Sequence, residues 1–396
     1  MKFKAKDKTL DLSRPVLMGI LNVTPDSFSD GGRFLDVDAA VRRGLEMAGQ
    51  GAHIIDVGGE STRPGAQPVS AAEEKRRILP VIRALASKIS KRTAPVLISV
   101  DTYKPDVAAA GLNAGADMVN DVTGFTDSKM RAVVGRAHAG AIVMHMQGTP
   151  KSMQENPHYA DVVAEVKAFL KQQAHKVHAA GAYGILIDPG IGFGKTLEHN
   201  VALLSRLDEF ADLGYPVCVG VSRKRFLGQL TGEPAAENRL EGTLAAISTC
   251  VLRGASVLRV HDVSECRKVM EVAFAMKSNE ASQSRDEIRV QGILISANVG
   301  ILEKEKRKAQ PLIVNVVASL DLTKAAASHS VSDTVDYRRI VRVVEKVAAS
   351  RHWPLLEGLA EQLAKDIKAL GAVRVCIQLT KPESLQNGVP SVTVER

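Results

Sequence analysis

Eight short apolar runs alternate with stretches of helical periodicity over residues 15–262, and nearly every run ends on a hydrogen-bonding or charged side chain. The runs are PVLMGILN (15–22), HIIDVGG (53–59), PVLISVD (95–101), DMVNDV (117–122), AIVMHM (141–146), ILIDPG (185–190), PVCVGVS (216–222) and SVLRVHD (256–262). Between them, stretches such as DAAVRRGLEMAGQG and DVVAEVKAFLKQQAHKVHAAG repeat apolar residues at helical spacing and close on glycine, which predicts amphipathic helices. Strands that are apolar almost throughout are buried on both faces, as in parallel sheets covered by helices. Eight strand–helix units in about 260 residues predict an α/β fold closed as a (β/α)8 TIM barrel. A doubly wound open sheet, which usually has fewer strands, is the alternative.

The strand ends carry, in order, Asn22, Asp56, Asp101, Asn120, His145, Asp188, Lys224 just past Ser222, and Arg259 with His261. A single Asp or Asn in such a place can be a helix cap. Eight strands doing this together form a ring at the C-terminal mouth, where barrels gather their active sites. Asp101, Asn120 and Asp188 offer acceptors and Lys224 donors, a set that suits a flat heterocycle whose amidine-like edge presents parallel N–H groups. Arg259 and His261 are two apart and share a strand face; with Ser61 and Arg63 from a loop they suit a phosphate-like anion. Asn22 is a neutral oxygen ligand that fits Mg²⁺ retaining most of its waters and leaning on substrate phosphates.

The segment GIGFGKT (190–196) resembles a phosphate-binding loop but has Pro189 where that motif requires glycine. Its glycines instead let a loop pass close to a flat ligand. The loops TPDSFSDGGRF (24–34) and ESTRPGAQPVS (60–70) read either as ordinary turns or as lids that complete a site once substrate binds.

The formal charge is +8, from 52 Lys plus Arg against 44 Asp plus Glu. The densest cluster, EKEKRKA (303–309), alternates in sign, and one Trp with nine Phe gives little aromatic platform, so nucleic-acid binding is disfavoured. Attraction for small anionic substrates fits better. No apolar run approaches the roughly 20 residues of a membrane helix. The start, MKFKAKDKTLDLSRP, lacks a secretory pattern, which predicts a cytoplasmic chain. Cys218, Cys250, Cys266 and Cys376 are far apart and mostly within apolar runs, which predicts buried free thiols.

The barrel is expected over 1–276, a polar linker over 277–287 and a second domain over 288–396. DEIRVQGILISANVG reads as a strand pair or a strand and turn, and PLIVNVVASLDL (311–322) as a long strand. DYRRIVRVVEKVAAS and PLLEGLAEQLAKDIKAL read as helices, and VRVCIQLTKPE and PSVTVER as closing strands. This ββααββ order predicts an α+β domain with an antiparallel sheet and both helices on one face. Glu305, Tyr337, Glu357 and Lys381 are each ordinary surface residues taken singly, although Glu357 sits among apolar neighbours in LLEGLA.

Together, MGILNVTPDSFSDGG, IDVGGESTRPGA, ISVDTYKP, VNDVTG, MHMQGTP, IDPGIGFGK, VGVSRKRFLG and RVHDV resemble the dihydropteroate synthase family, in that family's order and over nearly all of residues 14–276. The resemblance implies condensation of 6-hydroxymethyl-dihydropterin pyrophosphate with p-aminobenzoate, with release of pyrophosphate. It implies that Asp101, Asn120, Asp188 and Lys224 hold the pterin, and that Asn22, Arg63, Arg259 and His261 hold the pyrophosphate and its Mg²⁺. Thr62, Ser222 and Phe193 would shape the pterin and aminobenzoate pockets, and Phe28 and Pro64 would belong to the lids. No Ser-His-Asp or Cys-His arrangement offers a nucleophile, so Arg259 and His261 with the metal would act by stabilising the departing charge, and Lys224 would be catalytic beside them. A pterin-dependent methyltransferase would share the barrel and its acids but has no need of the Arg259–His261 pair.

The stretches around 300–310, SDTVDY (332–337), LLEGLAEQLA (355–364), LTKPE (379–383) and VTVER resemble the dihydroneopterin aldolase family over roughly residues 287–396. That resemblance implies metal-free cleavage of 7,8-dihydroneopterin to 6-hydroxymethyl-dihydropterin and glycolaldehyde. Glu357 would anchor the pterin, Lys381 act as general acid/base, Glu305 contact the hydroxylated tail, and Tyr337 come from a neighbouring subunit of a homo-oligomer. A non-catalytic oligomerisation module is the alternative.

Overall fold

In the computed structural model, residues 1–24, 36–60, 67–90, 95–149, 152–282, 286–382 and 389–396 are described. They form two compact units, Met1–Lys277 and Ser278–Arg396.

The first unit opens with a hairpin of β1 (Lys2–Ala5) and β2 (Lys8–Asp11). Eight parallel strands follow: β3 (Val16–Asn22), β4 (Ala52–Gly58), β5 (Leu97–Asp101), β6 (Met118–Asp121), β7 (Gly140–Met144), β8 (Gly184–Asp188), β9 (Cys218–Gly220) and β10 (Val257–Val260). Their order is β8-β7-β6-β5-β4-β3-β10-β9, and a parallel bridge between Ile187 and Val217 brings β8 back to β9. The sheet therefore closes into the expected barrel. Each strand is followed by helix, as in the run Val37–Gln50, whose N-cap Asp36 accepts from the Ala39 N–H and whose buried face is Ala40, Val41, Gly44, Met47 and Ala48.

The hairpin is not announced by the strand–helix pattern, yet it has a defined job. Phe3, Ala5, Leu10 and Leu12 pack with Val16, Met18, Ile54, Leu97, Met118, Ile142, Leu186, Cys218 and Val257, which lie toward the N-terminal ends of the barrel strands. It plugs the bottom of the barrel, at the end opposite the ring of polar strand ends. Lys8 reinforces the plug with an ion pair to buried Asp117 at 2.9 Å. Cys218, Cys250 and Cys266 are buried free thiols, and Cys376 is half-buried and free. No described helix is long and apolar enough to cross a membrane.

The polar run expected as a linker is largely built. The helix Val263–Ser282 continues well into it, and β11 (Asp286–Ala297) begins before its expected end. Glu287 already stands opposite Ser319 in the antiparallel ladder that β11 makes with β12 (Gln310–Leu320). DEIRVQGILISA is one strand, not two: a bulge between Val290 and Ile293 bends it, with Gly292 at φ 70. β13 (Arg374–Thr380) and β14 (Ser391–Glu395) complete an antiparallel sheet in the order β11-β12-β13-β14. Helices Tyr337–Ala349 and Leu356–Lys368 bury Ile340, Val344, Leu359, Leu363 and Ile367 against Leu312, Val314, Val316, Val375 and Ile377 of the sheet. This is the predicted α+β arrangement.

Candidate active sites

Parallel pairing puts Asp56, Asp101, Asn120 and Asp188 at the same end of neighbouring strands, and β10 brings Arg259 across to them. Arg259 donates from Nε to Asp56 Oδ2 and from Nη2 to Asp101 Oδ2, both at 2.6 Å. Asn120 Nδ2 donates to the same Asp56 oxygen at 3.1 Å. Thus Arg259 and Asp101, expected to serve opposite halves of a ligand, are paired with each other, and Asp56 ties Arg259 to Asn120. Asp56 is 0% exposed, and the sequence places it in the ring without giving it a role. Its position behind Arg259 makes it the orienting group of the cluster, which its place in an apolar strand alone does not disclose.

Burial, reinforced by the Asp56 charge, pushes the Asp101 carboxyl up to about 7. Burial opposes the Arg259 charge, but Asp56 and Asp101 outweigh it and hold the guanidinium ionised. Asp188, also raised by burial, faces Lys224, whose charge counters the shift, and accepts from the Gly190 N–H at 2.7 Å. Burial lowers Lys224 to about 8, with Asp188 resisting. Lys224 Nζ donates to the Ile191 carbonyl and lies 4.6 Å from the centre of the half-buried Phe193 ring. Ser222 Oγ lies 3.0 Å from His261 Nδ1. Asn120, Asp188, Lys224, Arg259, Ser222, His261 and Phe193 therefore share one mouth. Asn22 ends β3 on the same rim, half-buried. Thr62 and Arg63, with Ser61, Phe28 and Pro64, lie outside the described residues.

Two groups in the neighbourhood carry no role from the sequence. Lys195, 3% exposed, lies 3.0 Å from His145 Nδ1 and donates to the carbonyls of Phe193 at 3.0 Å and His145 at 3.4 Å. Burial lowers it to about 7 and drives His145 down to about 3, so the imidazole is neutral. His145 thus braces the glycine-rich loop through Lys195. The loop needs its glycines: a Cβ at Gly190, φ 69, would stand 1.8 Å from the His145 carbonyl oxygen. The failed phosphate-loop motif is a close-packed wall whose lysine points inward.

Among the described residues, no three His, Cys, Asp or Glu side chains cluster as a metal cage. One neutral amide oxygen at Asn22 fits only a hard cation that keeps its waters and shares a ligand's phosphates, which is the habit of Mg²⁺.

In the second unit, Lys381, 7% exposed, donates to Glu305 Oε1 at 2.7 Å and to the Val299 carbonyl at 3.1 Å. Glu305 is held below the usual carboxylate range, chiefly by its bond to Lys381 and then by the Leu302 N–H. Gly300, φ 134, approaches so closely that a Cβ would fall 2.1 Å from Glu305 Oε2. Glu357 proves exposed, because it sits in the first turn of its helix and the core face begins at Leu359. Tyr337, at the start of the preceding helix, is 61% exposed.

Comparison with known proteins agrees with both readings. Residues 18–261 match the family described as "Pterin binding enzyme", and residues 288–396 match "Dihydroneopterin aldolase". The chain is 45% identical to the dihydropteroate synthase of Escherichia coli (strain K12) over 285 residues, covering 71% of this chain and 99% of that protein. It is 44% identical to the Synechocystis enzyme of the same name, over 66% of this chain and 90% of that one. The Thermus thermophilus dihydropteroate synthase, solved with 4-aminobenzoate, has a TM-score of 0.63 at 46% identity, covering 70% of this chain and 100% of that one. The Xanthomonas albilineans enzyme, solved with 7,8-dihydropteroate, has a TM-score of 0.62 at 42% identity, over 70% and 99%. On its fold, its mouth residues and these relatives, the chain belongs to the dihydropteroate synthase family and carries a C-terminal domain of the dihydroneopterin aldolase family.

Proposed function

We propose that the barrel mouth condenses 6-hydroxymethyl-7,8-dihydropterin pyrophosphate with p-aminobenzoate to give 7,8-dihydropteroate and pyrophosphate. The observation that carries this reading is the convergence of Asp101, Asn120, Asp188, Lys224 and Arg259 on one mouth. Asp188 and Asn120 take the amino edge of the pterin, and Lys224 donates to the ring. Asp101 Oδ2 is engaged by Arg259, so pterin binding and the aim of the guanidinium are linked through this carboxylate.

The reaction breaks the bond between the pterin's exocyclic methylene and the pyrophosphate oxygen, whose electron pair leaves with the pyrophosphate. The arylamine nitrogen then bonds to the methylene and loses a proton to solvent. Arg259 and His261, with Arg63 of the loop, stabilise the departing charge, while Thr62 helps shape the pocket. Phe193 and Ser222 shape the pocket, and holding the amine in line supplies the rest. Asn22 would hold Mg²⁺ together with the substrate phosphates, and that ion would supply further neutralisation of the pyrophosphate.

For the second unit we assign cleavage of 7,8-dihydroneopterin to 6-hydroxymethyl-dihydropterin and glycolaldehyde. Lys381, buried against Glu305, is the general acid/base, Glu305 meets the hydroxylated tail, and Glu357 anchors the pterin. The exposure of Tyr337 and Glu357 supports completion of the site by a second copy of the chain, hence a homo-oligomer. Calorimetric binding of the pterin pyrophosphate tests the barrel reading: Asp188→Ala should abolish it, and unchanged affinity would exclude Asp188 as the pterin anchor.

A further inference from the structure

Arg223 stands between Ser222 and Lys224 with φ 58, in the left-handed region that a side chain other than glycine adopts only when its surroundings compel it. The surroundings here are specific. The Arg223 N–H donates to Thr243 Oγ1 at 3.0 Å, and Arg239 Nη1 donates to the Arg223 carbonyl at 3.0 Å. The side chain reaches across to Asp262 in a two-point contact, Nε to Oδ2 at 2.9 Å and Nη2 to Oδ1 at 2.5 Å. Asp262 follows His261, and Lys224 follows Arg223. The last backbone register pair of β9 and β10 is Gly220 with Arg259. Beyond it the two chains remain joined by side chains: Ser222 to His261, then Arg223 to Asp262.

We propose that Arg223 and Asp262 form a positioning clamp, which fixes the pterin-holding Lys224 relative to the pyrophosphate-holding His261. The proposal rests on the roles given to Lys224 and His261 above. Neither clamp residue is assigned to substrate; they act through their neighbours. The fork of a guanidinium on a carboxylate fixes orientation as well as distance, which one charge on a flexible stem does not. The pair is partly exposed, 33% and 16%, so its contribution to global stability is small and its effect should fall on alignment.

The test uses steady-state synthase kinetics of the full chain, with thermal melting alongside. Arg223→Gly keeps the left-handed turn available while removing the fork, and Asp262→Asn removes the acceptor charge. Each should lower kcat/KM for the pterin pyrophosphate by ~10- to 100-fold, as expected for a displacement of about 1 Å in a site. Melting should stay within a few degrees of the parent. The double variant should be no worse than the poorer single variant, because both changes break one contact. Arg223→Lys, with charge but no fork, should fall between parent and Arg223→Gly. An active parent with Arg223→Gly within twofold of it overturns the clamp alone, as does an additive loss in the double variant. A parent without synthase turnover overturns the functional reading and the clamp with it.

Discussion

At the barrel mouth, side chains from strands β4, β5, β6, β8 and β10 meet inside one folded unit, whereas in the C-terminal unit Glu305 and Lys381 touch while Glu357 and Tyr337 face solvent. Closure explains the contrast. A barrel brings all its strand ends to one rim, so one chain can assemble acceptors, donors and an anion site. A four-stranded open sheet has two edges and one covered face, and it leaves Glu357 and Tyr337 exposed while Lys381 is buried against Glu305. The first site should therefore respond to changes within one chain, and the second to changes in assembly as well.

The sharpest way to break this comparison is to disable each site separately. Arg259→Ala should lower dihydropteroate formation by about 10²- to 10³-fold, the scale of losing a charge-stabilising group, and Lys224→Ala, which removes the donor to the pterin ring, should also lower it strongly. Glycolaldehyde release from dihydroneopterin should be untouched. Lys381→Ala should do the reverse, lowering glycolaldehyde release by about 10²-fold or more, as for loss of a general acid/base. A variant that affected both activities equally would show that the sites are not independent.

Stability divides the units too. Phe3→Ala opens a cavity in the barrel plug and should destabilise the first unit by about 3–5 kcal/mol, read as an earlier unfolding transition in denaturant. The transition of the second unit should not shift.

Acidity gives a smaller effect confined to the barrel. Lys224 is lowered to about 8, so its ammonium form prevails below that pH and is lost above it. The synthase kcat/KM should fall as pH rises through about 8, and a profile flat to about pH 10 would remove Lys224 as the donor. A stability trend follows from Lys195, whose folded value of about 7 lies below its unfolded one. Between these values the unfolded chain binds more protons, so stability rises with pH. The parent should gain on Lys195→Met as pH rises from about 7, measured by denaturant melts.

Much of this is legible in the sequence because closing an apolar strand on Asp, Asn, Lys or Arg is costly unless the end faces a site. That pattern marks Asp101, Asn120, Asp188 and Arg259 before any geometry. Contacts between distant segments leave no such trace. Arg223 and Asp262 are 39 residues apart, and Lys195 and His145 are 50 apart. The hairpin does leave a signal, the inward alternation of Phe3 with Ala5 and Leu10 with Leu12, but lysines between them give it the look of a solvated start. Glu357 misleads in the opposite way: apolar neighbours in sequence are not neighbours on a helix face.

The central claim is that the mouth of the barrel joins a pterin to an arylamine with the departing charge held by Arg259. Incubation of the full chain with 6-hydroxymethyl-7,8-dihydropterin pyrophosphate, p-aminobenzoate and Mg²⁺, followed by chromatographic detection of product, tests it most directly. The parent should form dihydropteroate with one pyrophosphate released per product, and Arg259→Ala should form almost none. Absence of product from the folded parent, or undiminished product from Arg259→Ala, would contradict the account.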